Sequence, residues 1–151
     1  MSVVVLVLHP GRPEATDLAN EITSVLESEG HEVRFAPVDA ERCGRPELGV
    51  EPPGLVDGPA LAVSLGGDGT MLWTVELVAE TGVPVLGVNL GSLGYLTEVE
   101  PHGALDAIKR SLLGEGEIEE RLLLVAEVIR RGSAPRPLPC LLYTSDAADD
   151  L

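Results

Sequence analysis

LAVSLGGDGTMLWTVELVAETGVPVLGV, Leu61 to Val88, is the stretch that decides how this chain folds. Leu61 to Leu65 is a continuous apolar run of strand length. It breaks at Gly66-Gly67-Asp68-Gly69-Thr70, after which Leu72, Val75, Leu77, Val78 and Ala79 support a helix ending near Gly82. Val83 to Val88 is apolar again, with Pro84 admissible only at the first positions of a strand or on an edge. Strand, glycine loop, helix and strand in immediate succession imply a parallel pair joined by a crossover.

Upstream the same pattern recurs. Ser2 to His9 is a Val/Leu run closed by Pro10-Gly11. Ala15, Leu18, Ala19, Ile22, Val25 and Leu26 then form one apolar helical stripe, with Gly30 where a residue of positive φ ends a helix. Glu32 to Ala36 offers a short second strand, and Pro37 to Pro59 lacks periodicity and reads as a long loop with one helical turn at most. Downstream, Leu105, Ile108 and Leu112 mark another helix, stopped at Gly114. The fold class expected is α/β, an open and mostly parallel sheet with flanking helices.

The last third differs. Arg121 to Ile129 favours a strand, and nothing after it reads as a partner, so it is expected to be the unpaired first strand of a missing β-rich domain. Pro135, Pro137 and Pro139 follow, and then CLLYTSDAADDL, Cys140 to Leu151, which fits neither pattern and resembles translated sequencing-adapter sequence. The organisation expected is an α/β nucleotide-phosphate-binding domain over 1–116, the start of a truncated β domain over 117–139, and an artefactual tail over 140–151.

The 151 residues are 44% apolar, enough to build a core, but only 3% aromatic, so that core must come from Val, Leu, Ile and Ala. Twenty-five acidic against ten basic side chains leave a net charge of −15, which speaks against nucleic acid or an anionic membrane as partner. A small phosphorylated ligand remains possible, because backbone amides hold phosphate without help from net charge. Cys43 and Cys140 lie far apart with no metal-ligand spacing, which suits reduced thiols and a cytoplasmic protein. Val3 to Leu8 lacks a basic flank and is too short for a signal or membrane segment.

Three loops follow three of the strands: His9 to Arg12, Gly66 to Thr70, and Asn89 to Gly94. In a parallel sheet all three emerge at the carboxyl edge, where open α/β folds bind ligands. The glycines around Asp68 allow close backbone approach, so that successive N–H groups can converge on an anion beside a helix start. A carboxylate among phosphate donors is costly unless it binds a cation or accepts a proton, which points to a metal partner or a general base. The competing reading is that Asp68 or Thr70 merely caps the helix.

Leu65 to Pro101, LGGDGTMLWTVELVAETGVPVLGVNLGSLGYLTEVEP, resembles the signature stretch of the NAD kinases, with Gly-Gly-Asp-Gly-Thr and Asn-x-Gly-x-Leu-Gly-aromatic-Leu-Thr in order. VVVLVLHPGRPEA and ERLLLVAEVIRRG are also similar to that family. The resemblance implies phosphoryl transfer from ATP, or in some members polyphosphate, to the 2′-hydroxyl of the NAD adenosine ribose, giving NADP. It implies Asp68 as proton acceptor, Asp68 and Gly69 as NAD contacts, and Gly66, Gly67, Gly69 and Thr70 around phosphate. Tyr95 would pack on adenine with Leu72 nearby, and Arg12 would approach nucleotide phosphate; ordinary core packing is the alternative for Tyr95 and Leu72, and solvation for Arg12. Mg2+, or another divalent cation, would bridge the nucleotide oxygens, with no metal ligand assigned in the chain. The complete protein would be a homo-oligomer, dimer or tetramer.

Trp73 stands where the family usually has Arg, His or Asn, so an aromatic packing role is expected there. The family's C-terminal loops, which supply most NAD contacts, have no counterpart here, so the chain alone is expected to be inactive. Two rival readings are a lipid kinase of the diacylglycerol or sphingosine type, sharing the glycine loop, and a non-catalytic nucleotide-binding domain.

Overall fold

The computed structural model describes residues 1–91, 94–97, 99–128 and 136–141. It divides into two compact units, Met1–Gly116 and Glu117–Leu151. In the first, four parallel strands, β1 (Val3–Leu8), β2 (Glu32–Phe35), β3 (Leu61–Gly66) and β4 (Val85–Asn89), lie in the order β2-β1-β3-β4. The expected α/β architecture is therefore the one observed.

Period-2 alternation sorts the strand side chains onto two faces. Val4, Leu6, Leu8, Val63 and Leu65 pack with Ala15, Ala19, Ile22 and Leu26 of α1 (Pro13–Ser28) and with Ala104 and Ile108 of α4 (Ala104–Leu112). Val5, Val7 and Ala62 face the other way, with Val78 of α3 (Asp68–Val78). Because α1 follows β1 onto one face and α3 follows β3 onto the opposite face, the chain parts between these adjacent strands. Their carboxyl ends thus flank a crevice of the kind in which open sheets hold ligands.

Local signals set the element ends. Gly30 and Gly114, two residues past the ends of α1 and α4, have φ of +81° and +74°, a region that glycine enters at no steric cost. Pro84 stands just before β4 and needs no donor there; its carbonyl accepts from Ala62 N–H at 3.0 Å.

Two expectations require correction. The stretch read as a loop from Pro37 to Pro59 contains α2 (Pro37–Arg42) and 3-10 turns at Pro46–Leu48 and Gly54–Val56. Pro37 and Pro46 start these pieces, because a first helical residue has no use for its N–H. Arg121 to Ile129 was expected to be unpaired, whereas β5 (Leu123–Val128) pairs antiparallel with β6 (Arg136–Leu141), Val125 opposite Pro139 and Glu127 opposite Pro137. Prolines two apart leave both absent donors on one edge of a strand, so an outer edge tolerates them. Strand β6 includes Cys140 and Leu141, the first two residues of the supposed tail; Ile129 and the rest of the tail lie outside the described residues.

Asp39 of α2 is 1% exposed, and its Oδ2 accepts from Leu8 N–H at 3.2 Å while Arg42 donates to Oδ1 at 3.0 Å. Burial pushes its carboxyl above the ordinary 3.8, outweighing the Leu8 hydrogen bond and the Arg42 guanidinium. An acid raised in the folded state holds its proton to higher pH than the unfolded chain does. Stability therefore falls as pH rises from the unfolded through the folded value, and is flat above. Asp39→Asn, whose amide oxygen can still accept from Leu8, is expected to equal or exceed the parent in urea melts at pH 7, with any advantage shrinking towards pH 4. Asp39→Ala strands the Leu8 donor and is expected to cost about 1–3 kcal/mol.

Candidate active site

Strand β3 ends at Gly66, and α3 begins two residues later at Asp68. The turn is tight enough that a Cβ on Gly66 would stand 2.7 Å from Thr70 Cβ and would also meet Thr70 Oγ1. Gly67 is the N-cap, and no side chain caps the helix. The capping alternative for Asp68 and Thr70 is thereby overturned. The first-turn amides have no intrahelical acceptors, so they remain open to an anion.

Beside them the loop after β1 comes up. His9 N–H donates to Leu65 O at 2.9 Å, tying the ends of β1 and β3 together. His9 Nδ1 accepts from Gly11 N–H at 3.1 Å, which places the hydrogen of a neutral imidazole on Nε2. Arg12 Nη1 donates to Leu90 O at 2.6 Å and lies against Gly91, where a Cβ would come within 2.9 Å of both terminal nitrogens. His9, Pro10, Arg12, Gly67, Gly69, Thr70 and Trp73 line an open cavity of about 340 Å³. It sits at the crevice between β1 and β3, with backbone donors, an arginine and a half-exposed indole on its walls.

The carboxylate points to a different partner. Asp68 Oδ2 accepts from Tyr95 N–H at 3.0 Å, and Oδ1 from Leu96 N–H at 2.9 Å. The segment that carries these amides is fixed at both ends: Leu90 N–H donates to Gly66 O at 2.8 Å, and Val99 pairs in parallel with Val88. Asp68 thus fastens the start of α3 to the chain beyond β4.

Of the residues singled out from the sequence, Arg12, Gly67, Gly69 and Thr70 share the cavity, while Gly66 shapes the turn beneath it. Tyr95 joins Asp68 through its backbone, and its ring is 86% exposed, which removes the core alternative. Leu72 is 41% exposed and, like Tyr95, does not line the cavity. Trp73 does line it, as an aromatic wall. The sequence reading placed the loop from His9 to Arg12 at this edge but singled out only Arg12 in it; His9 and Pro10 line the cavity as well. Asn89, at the end of β4 and the start of its loop, accepts Gly91 N–H at 3.2 Å through Oδ1.

Residues 55–116 match the ATP-NAD kinase N-terminal domain. The chain is 42% identical to the NAD kinase of Symbiobacterium thermophilum over 141 residues, 90% of this chain and 48% of that protein. It is 37% identical to that of Moorella thermoacetica over 145 residues, 96% of this chain and 44% of the other. The chain thus resembles the NAD kinases over about half of their length. The lipid-kinase reading of the glycine loop is not favoured by these relationships.

Two solved structures share the fold. Yeast NADH kinase in complex with NADH superposes with a TM-score of 0.76 at 22% identity, covering 93% of this chain and 46% of that one. An NAD kinase from Archaeoglobus fulgidus in complex with ATP gives 0.55 at 22% identity, over 83% of this chain and 42% of that one. The chain spans about half the length of the curated relatives it matches.

Proposed function

We propose that this chain is the ATP-NAD kinase half that presents phosphate donors and the proton acceptor for making NADP. The observation that carries the reading is the cavity at the β1/β3 crevice, where the uncapped start of α3 and Arg12 face one space. ATP as donor is supported by the Archaeoglobus relative, described in complex with ATP. A dinucleotide acceptor is supported by the yeast relative, described in complex with NADH.

In this reading the amides of Gly67, Gly69 and Thr70 hold phosphate oxygens, and Arg12, with four of its five donors beyond the Leu90 bond, adds charge-assisted contacts. The ribose 2′-oxygen attacks the γ-phosphorus of ATP, ADP leaves, and the hydroxyl proton passes to Asp68. The two N–H donors keep the Asp68 carboxylate oriented, and each oxygen retains a lone pair for that proton. Tyr95, exposed beside Asp68, offers a ring face to the adenine, with Leu72 as an apolar neighbour.

Among the described residues no cluster of three His, Cys, Asp or Glu side chains could hold a metal ion. Mg2+ is commonly held by substrate phosphates with few protein carboxylates, so the described residues build no site for it on their own. A divalent cation belongs here only as part of the metal–nucleotide substrate, and no step is derived through it.

A cytoplasmic location and a homo-oligomeric complete protein, dimer or tetramer, go with this reading. Among the described residues no helix is long and apolar enough to cross a membrane.

The test joins this chain in frame to the C-terminal half of the Symbiobacterium thermophilum enzyme and follows NADP formation from NAD and ATP with Mg2+. Turnover is expected from the joined protein and negligible turnover from the 151 residues alone, since preorganisation needs both walls of the cleft. A folded joined protein that makes no NADP would refute the proposal.

A further inference from the structure

The hydroxyl of Thr97 is buried and unused. The residue is 1% exposed, and Oγ1 has no hydrogen-bond partner. A buried hydroxyl left this way is costly and calls for an explanation. Its surroundings fix where it points. A Cβ on Gly87 in β4 would come within 2.9 Å of Thr97 Cγ2 and 3.3 Å of Thr97 Cα, so the methyl fills a space kept open by that glycine. With the methyl seated there, the rotamer of this β-branched side chain is set. On the other side, a Cβ on Gly94 would stand 2.7 Å from Thr97 Oγ1 and 2.5 Å from Asp68 Oδ1. Both oxygens thus crowd the same face of Gly94, which carries no side chain there.

Resting on the kinase reading of Asp68, we propose that Thr97 is a positioning residue whose hydroxyl is the third donor to the Asp68 carboxylate, acting on Oδ1. The amides of Tyr95 and Leu96 and the Thr97 hydroxyl come from three consecutive residues, so this short segment grips the carboxylate from one side. A hydroxyl on Oδ1 restrains rotation about the Cβ–Cγ bond, and the carboxylate then meets a sugar hydroxyl in one orientation. In free enzymes such bonds are often long and close fully in the complex. None of these three donors titrates near the carboxylate range, so the protonation midpoint of Asp68 reads whether the hydroxyl is engaged.

The experiment follows the 13C carboxyl signals of the 151-residue chain against pH, alone and with NAD at millimolar concentration, and assigns Asp68 by its disappearance in Asp68→Asn. Thr97→Val replaces the hydroxyl with a methyl of similar size. It is expected to raise the Asp68 midpoint by about 0.5–1 pH unit in at least one of the two conditions, because a donor to the charged form is lost. Thr97→Ser keeps the donor and should restore the parent midpoint. If Thr97→Val loses the parent circular dichroism spectrum, Thr97→Ala takes its place in the comparison. An unchanged midpoint in both conditions, or a serine variant displaced as far as the valine one, overturns the proposal. The titration needs no turnover, so its failure is distinguishable from a failure of the kinase reading.

Discussion

Asp68→Asn, in this chain joined to the C-terminal half of the Symbiobacterium thermophilum relative, is expected to lower the rate of NADP formation by about 10²–10⁴-fold, the usual worth of a positioned proton acceptor. The amide has nearly the shape of the carboxylate but cannot take a proton, and its NH2 group can no longer accept from one of the Tyr95 and Leu96 amides. Some stability is therefore expected to go with the activity, about 1–2 kcal/mol for the donor left unpaired. The two losses separate in the measurement. Urea denaturation reads the second, and initial rates at saturating ATP and NAD, well below the denaturation midpoint, read the first. A variant that keeps more than a tenth of parental turnover would remove Asp68 from the chemistry and leave it as a structural tie between α3 and the chain beyond β4.

The second large effect is on folding. Gly66→Ala is expected to destabilise the chain by about 3 kcal/mol, because the added methyl lands on Thr70, with Thr70 Cβ at 2.7 Å, and lies 3.2 Å from His9 Cβ. The backbone of β3 fixes one partner and the start of α3 the other, so neither moves without disturbing the sheet edge. Gly67 and Gly69 behave differently, since nothing lies within 4 Å of a Cβ at either position. Gly67→Ala and Gly69→Ala should stay within about 1 kcal/mol of the parent. Their loss should appear in nucleotide affinity, where a methyl intrudes on the anion. Urea midpoints for the three variants check this; a Gly66→Ala protein as stable as the parent would contradict the packing assigned to the turn.

Much of the fold was legible because its signals are local. The Val and Leu runs at 3–8 and 61–65 are strands buried on both faces, the stripe from Ala15 to Leu26 is the buried side of α1, and Gly30 and Gly114, of positive φ, end α1 and α4. The ligand edge was legible because the loops after parallel strands share one edge, whereas the β1/β3 crevice needed the strand order. Composition misled where proline serves two purposes. Pro37 and Pro46 begin helical pieces in a stretch read as loop, and Pro137 and Pro139 sit in a strand that sequence reading denied to β5.

Within the site, the type of each residue was legible but its partner was not. Glycines, a carboxylate and an arginine could be named from the sequence. That Asp68 faces the amides of Tyr95 and Leu96, 27 and 28 residues away, depends on how the chain beyond β4 returns to pair Val99 with Val88. Arg12 likewise meets Leu90 O across 78 residues. Spacing along the chain carries no information about either contact. The roles of Gly87 and Gly94, which leave room for Thr97 and Asp68, appear only when a methyl is placed on each.

The central claim is that nucleotide phosphate binds in the crevice between the loops after β1 and β3, and amide and indole chemical-shift mapping tests it most directly. ATP titrated into the 15N-labelled chain should move the backbone signals of Arg12, Gly67, Gly69 and Thr70 together with the indole N–H of Trp73, the single tryptophan of the sequence. Shifts confined to residues outside that cavity, or none at millimolar ATP, would contradict it.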